Sequence, residues 1–495
     1  MYYVSTRNGA QQMKSADAIS MGLARDGGLL TPEVMPKLSA NALEGMKNMS
    51  YQQRAVYVMG AFLDDFSTNE LSGFATAAYS SEKFDCPEIA PVHQVDGDTY
   101  CLELWHGPTC AFKDMALQML PHLLSASLVK QNEKKTACIL VATSGDTGKA
   151  ALEGFRDVDK TRILVFYPKG GVAPIQELQM TTQQGDNVGV CAVEGNFDDA
   201  QAGVKRLFSD EALAEKLAER GYFFSSANSI NWGRVLPQIV YYVSAYCDLM
   251  AQGKLQNGDL LNVCVPTGNF GDILAAYYAK QMGVPLGKLI CASNSNNVLT
   301  DFLKTGLYDR NRPFYQTMSP SMDILVSSNL ERLLFSLTNQ DTAEVSGYMQ
   351  SLQTDGTYQV SEKVRRQLER HFAAGCCDDG ETQKTIGKLW ADCKYLIDPH
   401  TAVAFRVLED YRRDSDDKTP TLVVSTASPF KFCDHVLGAL GVTELAEGTA
   451  IIDQLAKFTG ATAPASLREL KDKTPRFHDC TAKEQMVDKV LEMLR

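Results

Sequence analysis

The chain lacks the features that mark several classes of protein. Its 13 cysteines include no Cys-x-x-Cys pair, and no Cys/His cluster has the spacing of zinc ligands, so we expect no metal site. No apolar run approaches the length of a membrane span, and the first residues contain no signal-peptide core. The cysteines are scattered through apolar runs, as in proteins of a reducing compartment. We therefore expect a cytoplasmic protein that does not contact a membrane.

An excess of positive charge is also absent. The 495 residues carry 48 Lys and Arg against 60 Asp and Glu, a formal net charge of -12. This acidic balance argues against a nucleic-acid surface. Anionic small molecules could bind only where backbone amides and a few basic side chains outweigh the overall field. A hydrophobic content of 44% indicates a globular protein, and the length predicts two or three domains.

Strands and helices alternate along most of the chain. Short apolar runs that fit strands occur at residues 138–142, 162–167, 188–193, 260–265, 288–292 and 421–425, and helical spacing follows most of them. Such alternation predicts right-handed βαβ units and an α/β fold, with parallel sheets covered by helices on both faces. Residues 1–95 are predicted to be mostly helical, and between about 320 and 395 the strand pattern disappears.

Three predicted strands end in small, polar turns, at residues 143–148, 267–271 and 426–429. In open parallel sheets ligands bind outside the carboxyl ends of the strands, so we expect these turns to converge on one crevice. Lys113 begins a predicted helix in the same class of position. There the helix dipole disfavours a cation and lowers the pKa of the amine, which suits a nucleophile. A lysine taken at random is more often a solvated residue on an ordinary first turn.

Two of these turns offer backbone amides to an anion. Gly268-Asn-Phe-Gly271 directly precedes a helix, where free amides can hold a phosphate, although a turn that uses glycine for its backbone freedom is as common. Residues 144–147 present hydroxyls and amides at another helix start, which suits a carboxylate. The simpler interpretation there is a helix cap by Ser144 or Asp146.

Two further side chains could take part. Arg234 lies near a predicted helix start and could hold a substrate phosphate through two hydrogen bonds, although an arginine is more often a surface or structural partner. Thr426 ends a strand, where a local turn bond is the commoner role for a hydroxyl. A reactive lysine, a phosphate-sized nest and a carboxylate-sized nest are together what a pyridoxal phosphate enzyme acting on amino acids requires.

Neither glycine turn fits a nucleotide-binding motif. Gly145-Asp-Thr-Gly-Lys149 lacks the first glycine of a G-x-x-x-x-G-K-S/T loop, and no G-x-G-x-x-G occurs at these turns. These failures argue against a nucleotide-dependent enzyme. A non-enzymatic module that binds a phosphate-bearing ligand remains open, and it predicts a colourless protein that releases no phosphate.

Several ordered motifs carry a resemblance over nearly the whole chain. They are Tyr3-Val-Ser-Thr-Arg7, Gly22 to Pro32, His106-Gly-Pro-Thr109, Phe112-Lys-Asp114, Ala142-Thr-Ser-Gly-Asp-Thr-Gly148, Asn228-Ser-Ile-Asn-Trp232, Pro266-Thr-Gly-Asn-Phe-Gly-Asp272, Asp398-Pro-His-Thr-Ala402 and Ser425-Thr-Ala427. In these motifs the chain resembles the threonine synthases of bacteria and fungi. Those are pyridoxal phosphate enzymes of fold type II, the fold of the tryptophan synthase β chain.

The resemblance implies a role for each matching residue. Lys113 is the expected catalytic, Schiff-base lysine, and the Thr426 hydroxyl is expected to face the pyridine nitrogen. The residues expected to bind the cofactor are Lys113, Gly268, Asn269, Phe270, Gly271, Asp272 and Thr426. Our candidates for substrate contact are Ser144, Asp146, Thr147 and Arg234.

The resemblance also implies a reaction. O-phospho-L-homoserine and water are expected to give L-threonine and phosphate, with phosphate leaving the γ carbon and water adding at the β carbon. This is the last step of threonine biosynthesis. The alternative within enzymes is a threonine synthase-like phospholyase that eliminates phosphate without making threonine. We expect the enzyme to be a monomer or a homodimer.

With this fold, the chain is expected to divide into four parts. They are a mostly helical N-terminal region at 1–95, a large cofactor-binding α/β domain at 96–135 and 251–470 with a helical elaboration at about 320–395, a smaller α/β domain at 136–250, and a helical C-terminal tail at 471–495.

Overall fold

Two sheets form the centre of the molecule. The computed structural model describes residues 1–143 and 145–494. Within these residues the strands are β1 (Tyr3–Ser5), β2 (Leu30–Pro32), β3 (Val92–Asp96), β4 (Thr99–Glu103), β5 (Thr136–Ala142), β6 (Thr161–Pro168), β7 (Val188–Glu194), β8 (Tyr222–Ser225), β9 (Leu261–Pro266), β10 (Leu286–Ser293), β11 (Leu307–Asp309), β12 (Thr357–Gln359), β13 (Phe372–Cys376), β14 (Thr421–Ser425) and β15 (Cys480–Ala482).

Helices cover both sheets. They are α1 (Ser15–Met21), α2 (Ala40–Met46), α3 (Tyr51–Gly60), α4 (Thr68–Ala78), α5 (Lys113–Leu117), α6 (Leu120–Lys130), α7 (Asp146–Phe155), α8 (Pro174–Thr181), α9 (Phe197–Ser209), α10 (Glu211–Glu219), α11 (Trp232–Ala251), α12 (Gly271–Met282), α13 (Val298–Thr305), α14 (Leu330–Leu337), α15 (Thr342–Thr354), α16 (Glu362–His371), α17 (Asp379–Cys393), α18 (Pro399–Ser415), α19 (Cys433–Ala439), α20 (Ala450–Thr459), α21 (Ala465–Arg468) and α22 (Met486–Met493). In the part of the chain that the structure describes, no helix has both the length and the apolar character needed to cross a membrane.

The larger sheet has six strands in the order β13-β10-β9-β14-β4-β3. They run parallel except for β3, which pairs antiparallel with β4 at one edge. In the centre, Val423 of β14 lies opposite Cys101 of β4 and Cys264 of β9. Every residue of β9 and β14 is buried. A strand buried on both faces requires a continuous apolar run, and such runs are the pattern that predicted these strands.

The smaller sheet has five parallel strands in the order β15-β7-β6-β5-β8. Its three inner strands match the apolar runs predicted at 138–142, 162–167 and 188–193, whereas β15 comes from the end of the chain. With two largely parallel sheets and their covering helices, the predicted α/β fold is confirmed.

A largely helical region precedes the sheets, as predicted. It contains α1 to α4 and the short antiparallel pair of β1 and β2. Trp232, the first residue of α11, is fully buried, and its ring centroid lies 5.7 Å from that of Tyr3 and 5.6 Å from that of Phe62. These aromatic contacts fasten the N-terminal region to the long helix that precedes β9.

Several strands, among them β8, β13 and β15, occur where the sequence predicts none. β8 follows α10, β13 lies within the region predicted to be a helical elaboration, and β15 lies within the tail predicted to be helical. All three are edge strands, each paired on one side only. The Phe-Ala-Ala-Gly-Cys sequence of β13 contains no β-branched residue, so its pairing with β10, rather than local propensity, makes it a strand. The domain boundaries given above remain a prediction.

Candidate active site

Backbone pairing brings Lys113 next to the end of β14. The N–H of Phe112 donates to the carbonyl oxygen of Thr426 at 2.8 Å, and Ala111 forms an antiparallel bridge with Ala427. Lys113 is the first residue of α5, as predicted. Two of the predicted cofactor residues, distant in sequence, are therefore neighbours at the carboxyl edge of the larger sheet.

The turn after β9 is built to hold an anion. In the described chain, the amides of Gly268, Asn269, Phe270 and Gly271 donate no hydrogen bond, and α12 begins at the last of these residues. Phe270 adopts the left-handed conformation, with φ 64°, which is uncommon for a residue with a side chain. Free amides at the N-terminus of a helix form a binding site for phosphate. We call residues 268–271 the amide cradle.

One residue touches both the lysine and the amide cradle. Lys113 Nζ donates to Ser321 Oγ at 3.3 Å. A Cβ atom at Gly268 would lie 2.6 Å from the carbonyl oxygen of Ser321, so only glycine fits beneath this turn. Ser327 Oγ also donates to the carbonyl oxygen of Gly268, at 2.9 Å. The segment that follows β11 thus covers the amide cradle and meets the amine.

The environment of Lys113 lowers the cost of losing its proton. Burial lowers the pKa of Lys113 to about 8, and the positive charges of Lys431 and Arg234 act in the same direction, while Asp146 opposes them. The sequence predicted a lowered pKa, but for a different reason. The main cause is removal from water, whereas the helix that Lys113 begins has only five residues.

A second buried lysine, Lys431, lies near Lys113. The side chain of Lys431 is fully buried, contacts Asp146 Oδ1 at 2.5 Å and donates to the carbonyl oxygen of Thr109 at 2.9 Å. Burial alone would raise the pKa of Asp146, but Lys431 and Lys113 hold it well below its usual range. Gln176 also donates to Asp146 Oδ1, at 2.7 Å. The carboxylate of Asp146 is therefore engaged by the chain itself.

Arg234 is a buried cation with few partners. It is 4% exposed, its Nη1 donates to the carbonyl oxygen of Ala227 at 2.6 Å, and its Nε has no hydrogen-bond partner among the described residues. Among the described residues no carboxylate pairs with Arg234, and burial lowers its pKa to about 10. Arg332, also buried, donates instead to Leu30 O, Ile230 O and Asn329 Oδ1. A buried charge without a counter-charge is costly, so Arg234 is suited to an anionic ligand.

Asp272 faces the protein interior at the start of α12. The hydroxyls of Tyr241 and Tyr242 donate to its Oδ1, and its Oδ2 is buried without a partner among the described residues. Burial raises the pKa of Asp272 to about 6, although both tyrosines act in the opposite direction. Its carboxylate thus ties the helix that carries the amide cradle to α11.

The turn after β5 has fewer free backbone amides than its sequence suggests. Ser144 lies outside the described residues. Thr143 Oγ1 accepts from the amides of Gly145 and Gly148, at 3.0 and 2.9 Å, so these two amides are occupied. Thr147 is half-buried on the first turn of α7. The amides of Asp146 and Thr147 remain free within the described chain and can receive a small anion.

Sequence reasoning missed several residues of the site. Lys431 follows the strand-end turn 426–429 directly, and extending that turn by two residues would have found it. Asp398 and His400 stood in a motif that carried the family resemblance, but they received no role. Ser321 gave no signal, because only the packing of a distant segment brings it to Lys113.

These features define a class of protein. A phosphate cradle at a helix N-terminus, an amine with a lowered pKa beside it and a free strand-end hydroxyl at Thr426 fit pyridoxal phosphate. Thr426 is 5% exposed, and within the described chain its side chain makes no hydrogen bond, so its hydroxyl is available to a ring nitrogen. An α/β fold with this site is that of the pyridoxal phosphate-dependent enzymes.

Comparison with known proteins supports the class and narrows it. The family described as pyridoxal-phosphate dependent enzyme matches residues 82–427, threonine synthase N terminus matches 2–79, and threonine synthase, C-terminal, matches 401–491. Threonine synthase of Schizosaccharomyces pombe is 39% identical over 459 residues, which cover 87% of each chain. The crystal structure of a PLP-bound threonine synthase from Brucella melitensis is 37% identical, with a TM-score of 0.89 and 100% of both chains covered.

The chain belongs to the threonine synthase family, and its cofactor is pyridoxal phosphate. A further relative is threonine synthase-like 1 of Homo sapiens, 42% identical over 463 residues, which cover 90% of this chain. The match takes in 61% of that relative's length.

Proposed function

We propose that the protein converts O-phospho-L-homoserine and water to L-threonine and phosphate. The observation that carries this proposal is Arg234, a buried guanidinium that lacks a carboxylate partner in the described chain and lies close enough to Lys113 to lower its pKa. A phosphate monoester supplies the anion that such a guanidinium requires. The S. pombe and B. melitensis relatives are both described as threonine synthases.

Lys113, the amide cradle and Thr426 would hold the cofactor. Lys113 would bind its aldehyde carbon, the cradle its phosphate and Thr426 its ring nitrogen. When bound, pyridoxal phosphate supplies an electron sink that stabilises negative charge on the substrate carbons. A neutral hydroxyl at Thr426 has no negative charge to draw a proton onto the ring.

Lys113 is also the proposed proton carrier. Its pKa of about 8 leaves a useful fraction of the amine neutral near neutral pH. Once the substrate has displaced it, Lys113 Nζ can take protons from the substrate carbons and return them. Phosphate then leaves from the γ carbon, and water adds at the β carbon.

Charged groups would orient the substrate around Lys113. Arg234 would hold the phosphate of the substrate, which suits a group that must be bound and then released as an anion. The free amides of Asp146 and Thr147, with Ser144 before them, would hold the α-carboxylate. Lys431 would stabilise this turn through its pairing with Asp146.

The test is to incubate the cofactor-loaded protein with O-phospho-L-homoserine and to measure phosphate, threonine and 2-oxobutyrate together. We expect one threonine for each phosphate. The alternative, a phospholyase of the same fold, gives phosphate and 2-oxobutyrate without threonine. The Lys113→Ala variant serves as the control for phosphate released without the enzyme.

A further inference from the structure

A buried aspartate and histidine stand at the N-terminus of α18. Asp398 is the residue before the helix, and its Oδ2 accepts from His400 Nδ1 at 2.6 Å. Both side chains are buried, at 0% and 2% exposed. The hydroxyl of Thr401, the next residue, donates to Asp398 Oδ1, and its Oγ1 lies 3.1 Å from Ser425 Oγ, from which it can accept. The pair is therefore connected to the end of β14, immediately before Thr426.

The other nitrogen of His400 holds a backbone group. The N–H of Ser321 donates to His400 Nε2 at 3.1 Å. A backbone N–H can only donate, so Nε2 must be unprotonated, and the ring proton must sit on Nδ1, facing Asp398. With its lone pair already used, His400 is not free to take a proton from a substrate. Its geometry suits positioning rather than proton transfer.

Ser321 connects this histidine to the reacting amine. Ser321 lies in the short 3-10 turn Pro320–Met322, its hydroxyl receives Lys113 Nζ at 3.3 Å, and its carbonyl presses on Gly268 of the amide cradle. Moving this turn would displace the hydroxyl from the amine and open the cover of the cradle together. Asn294 holds the flanking residues Ser319 and Asp323, whereas the N–H of Ser321 itself is held by His400.

We propose that Asp398 and His400 are positioning residues that hold the Ser321 turn against the amide cradle and so place the Ser321 hydroxyl to receive the Lys113 amine. The claim that the Ser321 turn covers the amide cradle depends only on cofactor binding. The claim that the Ser321 hydroxyl receives the Lys113 amine rests on the proposed function, because that contact matters once the substrate has displaced Lys113 from the cofactor.

A set of histidine variants separates positioning from simple helix capping. His400→Gln keeps an acceptor near the position of Nε2, whereas His400→Asn keeps only a donor near Nδ1. Ser321→Ala removes the hydroxyl and leaves the backbone N–H. The control is His435→Asn, at a histidine whose side chain is 40% exposed. For each variant we would measure the melting temperature of the apoprotein, the dissociation constant of pyridoxal phosphate, and kcat and KM.

We expect His400→Asn to weaken cofactor affinity and to lower kcat by about 10-fold each, the effect of one lost hydrogen bond of about 1.4 kcal/mol. KM should change little. His400→Gln should recover most of both losses. Ser321→Ala should lower kcat, and adding His400→Asn to it should lower kcat no further, because both changes act through the same hydroxyl.

Three results would overturn the proposal. One is wild-type cofactor affinity and kcat in His400→Asn. Another is equal loss in His400→Gln and His400→Asn, which would assign the histidine to packing at the helix start. The last is a lower melting temperature with unchanged cofactor affinity. The cofactor measurement needs no turnover, so its outcome stays separate from that of the threonine assay.

Discussion

The two turns that flank Lys113 follow buried parallel strands in different sheets, yet they treat their amides differently. In the amide cradle, residues 268–271, the amides are free within the described chain. In the turn after β5, the hydroxyl of Thr143 occupies the amides of Gly145 and Gly148 and leaves those of Asp146 and Thr147. The first arrangement suits a phosphate with several oxygens, and the second suits a smaller carboxylate. Two glycine-bearing turns between a strand and a helix thus differ in how many free amides they offer to an anion.

The largest effect is expected at Lys113 itself. Lys113→Ala removes the amine that would bind the cofactor and carry protons. The visible absorbance of the bound cofactor should therefore disappear, and turnover should fall by at least about 1000-fold. Absorbance spectra and the threonine assay measure both. Lys384→Ala, at a lysine whose side chain is 76% exposed, should behave as wild type. An intact visible band in Lys113→Ala would remove Lys113 from its proposed role.

A substitution that blocks the amide cradle should lower the affinity for the cofactor. Gly268→Ala places a Cβ 2.6 Å from the backbone oxygen of Ser321, which cannot yield as a flexible side chain would. We expect cofactor affinity to fall by about 100-fold, equivalent to about 2.7 kcal/mol. Gly45→Ala is the matched control, because a Cβ there meets no atom within 4 Å. Equal affinities in the two variants would show that the cradle is more open than the structure indicates.

Changing Arg234 should weaken substrate binding and leave cofactor binding intact. Arg234→Lys keeps a positive charge but loses the planar fork, so KM should rise by about 10-fold while the cofactor stays bound. Arg332→Lys provides the comparison, because that guanidinium is already held by backbone and Asn329 oxygens and should affect stability instead. The same KM in Arg234→Lys and wild type would separate Arg234 from the substrate phosphate.

The smallest effect is expected at Thr143. Thr143→Val keeps the shape but frees the amides of Gly145 and Gly148, which loosens the turn after β5. KM should rise by about 5-fold with cofactor affinity unchanged, since a neutral hydrogen bond contributes about 1 kcal/mol and that loss corresponds to this factor. A loss of cofactor affinity here would erase the distinction between the two turns, and a cofactor titration beside steady-state kinetics decides between them.

The sequence predicted those strands that are buried on both faces, because such strands consist of continuous apolar residues. Continuous apolar runs located β5, β6, β7, β9, β10 and β14 and the turns that follow three of them. The edge strands β8, β13 and β15 were missed, and for β13 the pairing with β10 rather than its own residues makes it a strand. Local pattern is thus sufficient for the inner strands that carry the site.

The site itself was predictable only in part. Lys113 and residues 268–271 lie in local motifs, and the structure brings them together through Ser321. The cause of the lowered pKa of Lys113 was misjudged, since burial depends on the whole fold and not on the start of one helix. Ser321 and the Nε2 contact of His400 depend on packing between distant segments, which sequence spacing does not record.

The lysine that carries the cofactor can be identified directly. Borohydride reduction of the loaded protein fixes the cofactor to its lysine, and peptide mass spectrometry then locates it. Among the lysines near the site, Lys113 lies beside the amide cradle, whereas Lys431 is paired with Asp146 and Lys149 with Glu153. We predict that the label is found on Lys113. A label on Lys431 or Lys149 would contradict the convergence of the strand-end turns on Lys113.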